Sequence, residues 1–215
     1  MSVDNSAVAI VFCSDSNYAP ILSVALQSIL ETANRDRSYI VYIITQDIGE
    51  QNQVNIERQI AQFSNFSMQF IDPTPYIADI AFKNLSYTIH AYFRLLIPYI
   101  FAQYKKVIYL DCDVIVLDDI AKLYDSANCA DENNMLAAVA DTGFIRSVAG
   151  RKLKGFLRKT KIGRFDIFNS GVLVFFVENF KKYITMRALL ELAASEYWSY
   201  ADQDVLNIAC KDRIQ

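Results

Sequence analysis

Short runs of β-branched and aromatic residues, each followed by a stretch with helical spacing, constrain this chain more than any other feature. VAIVFCS (8–14), YIVYIIT (39–45) and FSMQFID (66–72) are apolar at most positions rather than strictly at alternate ones. A strand of that kind has both faces covered, as in parallel sheets with helices above and below. Residues 20–33 put Ile21, Val24, Ala25, Ser28 and Ile29 at helical intervals, and 49–63 have similar spacing. Further helices are predicted near 89–103, 180–196 and 202–210. Further strands are predicted at 135–141 and 171–177, with another that begins near 106 and runs out into Asp111 and Asp113. The pattern predicts one α/β domain over 1–215, a mixed, mostly parallel sheet flanked by helices.

The rest of the composition narrows the function. At 215 residues and 53% hydrophobic content, the chain is neither a linker nor a disordered tail. A net charge of −3 gives no general attraction for nucleic acid. MSVDNSAVAI lacks the basic and apolar regions of a secretion signal, and no apolar run approaches the ~18 residues of a membrane span. The expected location is therefore cytoplasmic, with peripheral contact at the inner face of the membrane as the alternative. Cys13, Cys112, Cys129 and Cys210 form no C-x-x-C, suit a reducing compartment and read as core or near-core residues. His90 is the only histidine.

Ligands of such sheets bind beyond the carboxyl ends of the strands. Three polar groups are expected there: Ser14-Asp15-Ser16-Asn17, the Asp111/Asp113 pair, and Asp141-Thr142-Gly143. Acids gathered on one rim call for a bound cation or a nearby basic group. Residues two apart in a strand share a face, and two carboxylates about 4 Å apart repel by roughly 4 kcal/mol at an effective dielectric near 20. A hard divalent cation removes that cost. With one histidine and no cysteine pair, the available ligands are oxygens, which favours Mn²⁺ or Mg²⁺ over zinc. Asp111 and Asp113 are the candidate metal ligands, and the ion would neutralise a diphosphate leaving group. Two other readings stand beside this one. Asp-x-Asp can simply end a strand and open a solvated turn, and haloacid-dehalogenase-like phosphatases also place Asp-x-Asp after an apolar strand. The segment 143–164 carries Arg146, Arg151, Lys152, Lys154, Arg158, Lys159, Lys161 and Arg164 with no acid. It reads as a long basic loop suited to a phosphorylated or membrane-anchored acceptor, or as a solvated loop.

Five segments in order carry a resemblance: IVFCSDSNYAPILSVALQSIL, AYFRLLIP, VIYLDCDVIVLDDIAKLYD, FNSGVLVFF and YADQDVLNIA. Together the chain resembles glycosyltransferase family 8, a group with the Rossmann-like GT-A fold that includes bacterial lipopolysaccharide galactosyl- and glucosyltransferases. The resemblance implies a retaining, metal-dependent transfer of a hexose from UDP-galactose or UDP-glucose to a glycan or glycolipid acceptor. It implies that Phe12, Cys13 and Ser14 line uracil and ribose through backbone groups, with Asp15 and Asn17 holding base and ribose. Arg94 would reach the diphosphate or sugar, Asp111 the sugar and ribose, and Asp113 the metal, with Cys112 between them in the donor-binding stretch. Asp141, Asn169, Ser170 and Gly171 would surround the sugar and acceptor, and Asp202 and Gln203 would face the reacting carbon. Taken singly, Asn169 reads equally as a turn residue, Asp202 as a helix cap and His90 as structural.

Members of that family usually carry a C-terminal His-x-x-Gly-x-x-Lys-Pro-Trp stretch, whose His is a third metal ligand. This sequence ends at IACKDRIQ without it. The resemblance therefore leaves a second expectation open, a catalytically silent chain that still binds a nucleotide sugar.

Overall fold

The computed structural model describes residues 7–78, 89–143 and 151–215. Six strands form one sheet: β1 (Val8–Cys13), β2 (Tyr39–Ile44), β3 (Phe66–Ile71), β4 (Lys106–Leu110), β5 (Leu136–Ala140) and β6 (Phe168–Phe176), in the order β3-β2-β1-β4-β6-β5. β1 pairs in parallel with β2 and β4, and β2 with β3, while β6 runs antiparallel to both β4 and β5. The double-sided apolar runs have the predicted cause. Val8, Ile10 and Phe12 pack with α1 (Ala19–Thr32), α2 (Glu50–Ile60) and α6 (Ile120–Ser126) on one face of the sheet. Ala9 and Val11 face the other, where the segment 90–100 packs with α8 (Val177–Tyr183), α9 (Met186–Ser195) and α10 (Ala201–Ala209).

Some elements differ from the sequence reading for identifiable reasons. The helix expected over 89–103 is broken into α4 (His90–Phe93), a 3₁₀ turn Arg94–Leu96 and α5 (Ile97–Ile100). Pro98 has no N–H to give the Arg94 carbonyl, so the bond goes to the Ile97 N–H and the turn tightens. The single helix expected over 180–196 is two, because Thr185 restarts the helix as an N-cap, its Oγ1 accepting from the Ala188 N–H at 3.2 Å. The basic stretch is not one loop: α7 (Arg151–Thr160) occupies part of it, and Arg146 lies outside the described residues. The strand bearing the acids stops at Leu110, and Cys112 and Asp113 lie in a turn. Strand alternation therefore does not set how Asp111 and Asp113 relate.

The chain builds β1, β2 and β3 outward on one side, then returns to place β4 on the other side of β1. That reversal opens a crevice between the carboxyl ends of β1 and β4, the position where open α/β sheets bind ligands. Because β6 is antiparallel, its beginning, not its end, reaches the same rim.

Candidate functional site

A cavity of about 330 Å³ lies in that crevice, lined by Cys13, Ser14 and Asp15 from the end of β1, by Arg94 with its neighbours on α4, and by Tyr109, Asp111, Cys112 and Asp113 around the end of β4. Asp15 is buried, and its Oδ1 accepts the Tyr18 N–H at 2.8 Å, which fixes the turn into α1. Ser16 ties that turn to the next one: its hydroxyl accepts the Gly49 N–H at 2.9 Å and donates to the Asp47 carbonyl at 2.5 Å.

One of the acids on the rim, Asp111, is met by a basic group, Arg94. Its guanidinium is buried and pairs through Nη2 with Asp111 Oδ1 at 2.9 Å and through Nε with Asp202 Oδ2 at 3.1 Å. Nη1 donates to the Ser170 carbonyl at 2.8 Å and to its hydroxyl at 3.2 Å. The Tyr109 ring lies 4.5 Å from the guanidinium carbon, and its hydroxyl donates to Asp111 Oδ1 at 2.6 Å. Burial alone would lower the Arg94 pKa, but Asp202, Tyr109 and Asp111 outweigh it, so the guanidinium stays charged. Burial pushes the Asp202 carboxyl up to about 6 despite Arg94 and the Ser170 hydroxyl, which donates to Asp202 Oδ2 at 2.9 Å. Burial likewise pushes the Cys112 thiol up to about 12 and the Cys13 thiol well above its usual value. Both thiols are therefore poor nucleophiles at neutral pH.

Behind Arg94 the polar chain continues away from the cavity. Gln203 accepts the Ser170 N–H on Oε1 at 3.2 Å and donates from Nε2 to Asp141 Oδ2 at 3.0 Å, which fixes the orientation of its amide. Asn207 closes the network, exchanging hydrogen bonds of 3.0 Å with the Phe168 backbone on both sides. Asp202 does not cap α10: Tyr200 holds the N-cap position, and Asp204, inside the helix, accepts the Tyr200 N–H on Oδ2 at 3.0 Å. The first residue of α10, Ala201, sits at φ 42°, a left-handed conformation that an L-alanine adopts at a cost.

The expected residues thus fall into two groups. Cys13, Ser14, Asp15, Arg94, Asp111, Cys112 and Asp113 wall the cavity, whereas Asp141, Ser170, Asp202 and Gln203 form the network behind it. Four residues join neither. The Phe12 side chain is in the core, Asn17 is exposed, and exposed Asn169 makes a local bond in which its Oδ1 accepts the Gly171 N–H at 2.8 Å. Gly171 supplies room: a Cβ there would lie 2.6 Å from Asp111 Oδ2. Sequence reasoning missed Tyr109 and Tyr18 and read His90 as structural, yet all three line the cavity. The signal for Tyr109 was its position two residues before Asp111, near the end of β4. His90 Nε2 lies 3.1 Å from Asp47 Oδ1.

The donor set fits a hard cation. Asp113 has an exposed carboxylate with no ion pair or hydrogen bond among the described residues, and Asp111 Oδ2 is not taken up by Arg94 or Tyr109. No group of three His, Cys, Asp or Glu side chains clusters as a metal site among the described residues. Two carboxylates with otherwise open positions suit Mg²⁺- or Mn²⁺-type ions, which keep water and phosphate oxygens as ligands.

An open α/β sheet with a charged crevice at its switch point is a nucleotide-binding architecture. Residues 9–215 match the family model for glycosyl transferase family 8, and the chain belongs to that family. It is 30% identical over 210 residues to general stress protein A of Bacillus subtilis, covering 95% of this chain and 69% of that protein. It is 28% identical to the glycosyltransferase GlyB of Streptococcus pneumoniae, covering 95% of this chain but 45% of that one. Among solved structures, the bifunctional glycosyltransferase WbbM superposes with a TM-score of 0.87 at 25% identity, over 100% of this chain and 39% of that one. The galactosyltransferase LgtC, in complex with donor and acceptor sugar analogs, gives 0.76 at 26% identity, over 96% and 72%. The sheet and its flanking helices match the GT-A fold of these proteins. Family membership removes the phosphatase alternative. No helix among the described residues is long and apolar enough to cross a membrane.

Proposed function

We propose that this chain moves a hexose from UDP-galactose or UDP-glucose to a hydroxyl of a cell-surface glycan such as lipopolysaccharide core, with retention of configuration and with Mn²⁺ or Mg²⁺ bound. The observation that carries the reading is the crevice between β1 and β4, where a charged Arg94 and two carboxylates, Asp111 and Asp113, face one space. The ion, held by Asp111 and Asp113, would supply positive charge to the diphosphate.

The chain's own residues do the rest. The cavity wall of Ser14 and Asp15, with the half-exposed ring of Tyr18, receives the uridine. Arg94 keeps the Asp111 carboxylate oriented and adds charge near the leaving diphosphate. Asp202 is an unsuitable nucleophile, because Arg94 and Ser170 already occupy its carboxylate and it lies behind the cavity wall. Gln203, an amide, is a weaker one. Both facts favour attack by the acceptor hydroxyl from the side the diphosphate leaves. The sugar C1–oxygen bond to UDP breaks, the bond to the acceptor oxygen forms, and the acceptor proton passes to the departing β-phosphate oxygen. Gln203 lies in the network behind the cavity wall with its carbonyl accepting the Ser170 N–H, so its part is to hold Ser170 and Asp141 in place beside the donor sugar. A sugar trapped covalently on Asp202 or Asp141 overturns this route in favour of double displacement.

The test is UDP release from UDP-galactose and UDP-glucose with Mn²⁺ and a lipopolysaccharide acceptor. Release that needs both metal and acceptor supports the proposal. UDP binding without any release identifies instead a silent nucleotide-sugar-binding chain, and no UDP binding at saturating Mn²⁺ removes both.

A further inference from the structure

Charge in this chain is segregated. Of its 21 basic and 24 acidic residues, eight basic and no acidic ones fall in 143–164, which leaves 13 against 24 elsewhere. The described part of that stretch is the helix α7 and the turn after it. Phe156 and Leu157 on α7 pack with Ile162, Ile167 and Ile208, so the helix is held against α10 by its apolar side. Lys154, Arg158 and Lys161 are exposed and have no ion pair among the described residues. Lys159 pairs with Glu196 and lies over Trp198, which joins α7 to the segment 196–200. Exposed rings stand on the adjoining segments: Phe165, at 73% of full exposure, lines a cavity with Lys161, and Tyr197 and Tyr200, at 55% and 44%, lie in the segment that Lys159 reaches.

Topology fixes where this face lies. α7 follows the end of β5 and leads into the beginning of β6, and both of those strand ends lie at the rim that carries Asp141 and Ser170. We infer that α7, with Phe165, Tyr197 and Tyr200, docks this chain on an anionic bilayer surface and turns the rim toward it. Clustered Lys and Arg are drawn to anionic headgroups, and aromatic rings among them suit the headgroup layer. The excess of acids over the rest of the chain is repelled by the same surface, so only one orientation is favoured. The inference rests on the proposed function only for what the orientation serves: it brings a lipid-anchored glycan acceptor to the site.

The test is co-sedimentation of the chain with phosphatidylcholine vesicles, with and without phosphatidylglycerol, in the absence of any nucleotide sugar. Expected is binding that needs phosphatidylglycerol and weakens with salt. The K154Q/R158Q/K161Q variant is expected to partition roughly a hundredfold less, with its circular dichroism and its UDP affinity unchanged. Phe165→Ser with Tyr197→Ser is expected to cost a smaller factor at constant charge. Equal partitioning of the parent and the triple variant overturns the inference, as does indifference to phosphatidylglycerol. Release from vesicles by millimolar inorganic phosphate also overturns it, since that marks a phosphate-ion site rather than a surface. Vesicle binding that survives in a chain unable to bind UDP upholds the docking face while removing the donor reading, so the two fail separately.

Discussion

On the cavity side of Arg94, Asp113 holds an exposed carboxylate with no ion pair or hydrogen bond among the described residues, and Asp111 leaves one oxygen that neither Arg94 nor Tyr109 takes up. On the other side, Asp202, Ser170 and Gln203 are each at most 8% exposed and bonded to one another or to Arg94. The same residue type thus does two jobs. An unpaired acid near water is available to a ligand, whereas a buried, paired acid sets the position of its neighbours and is expensive to disturb. Arg94 belongs to both sides, and changes around it separate stability from binding.

The largest effect is expected at Arg94 itself. Arg94→Ala leaves Asp202 buried without its counter-charge and is expected to cost about 3–5 kcal/mol, read from urea unfolding. A loss below 1 kcal/mol would mean that the closed side is not organised by this pair. Next is pH. The Asp202 carboxyl titrates near 6 in the folded chain against a reference of 3.8, so its contribution to stability is greatest below about pH 4 and declines until about pH 6. That difference amounts to ~3 kcal/mol at most. Function follows the opposite course, because the anion that orients Arg94 forms only above about 6. UDP release is expected to fall below that pH, and Asp202→Asn is expected to flatten both profiles.

Gly171→Ala tests the contact between the two sides. Its Cβ would press on Asp111 Oδ2, and a destabilisation of about 1–3 kcal/mol is expected together with weaker UDP binding. Asp113→Asn is the converse: no change in unfolding midpoint, but Mn²⁺-dependent UDP binding weaker by about tenfold, or ~1.4 kcal/mol, by calorimetry. If stability falls as well, Asp113 has a structural role and the contrast between open and closed acids is lost. The smallest effect is expected at Ala201. Glycine accepts φ 42° freely, so Ala201→Gly is expected to stabilise by up to about 1 kcal/mol.

Much of this was legible in the sequence, and the gaps have physical causes. The runs of β1 and β2 announce a covered sheet because no polar alternation interrupts them. Arg94, Asp111, Ser170, Asp202 and Gln203 were all named, but spacing alone gives no sign that Arg94 meets Asp202. The interruption at Arg94–Leu96 was missed because Pro98 acts four residues back, on a carbonyl rather than on its own position. In the sequence of α7 the charges obscure the apolar pair Phe156 and Leu157, so its helical character is not apparent there. Tyr109 is core by burial, yet its hydroxyl reaches Asp111.

The Arg94 contacts span the chain: Ser170 lies 76 positions later, and Asp202 later still. During synthesis the first helices and strands emerge well before either partner exists. Until β6 and then α10 arrive, the guanidinium has only Tyr109 and Asp111 to meet. Closure of the interior on that side therefore waits for Ser170 and then Asp202 to be made, well after β1 and α1.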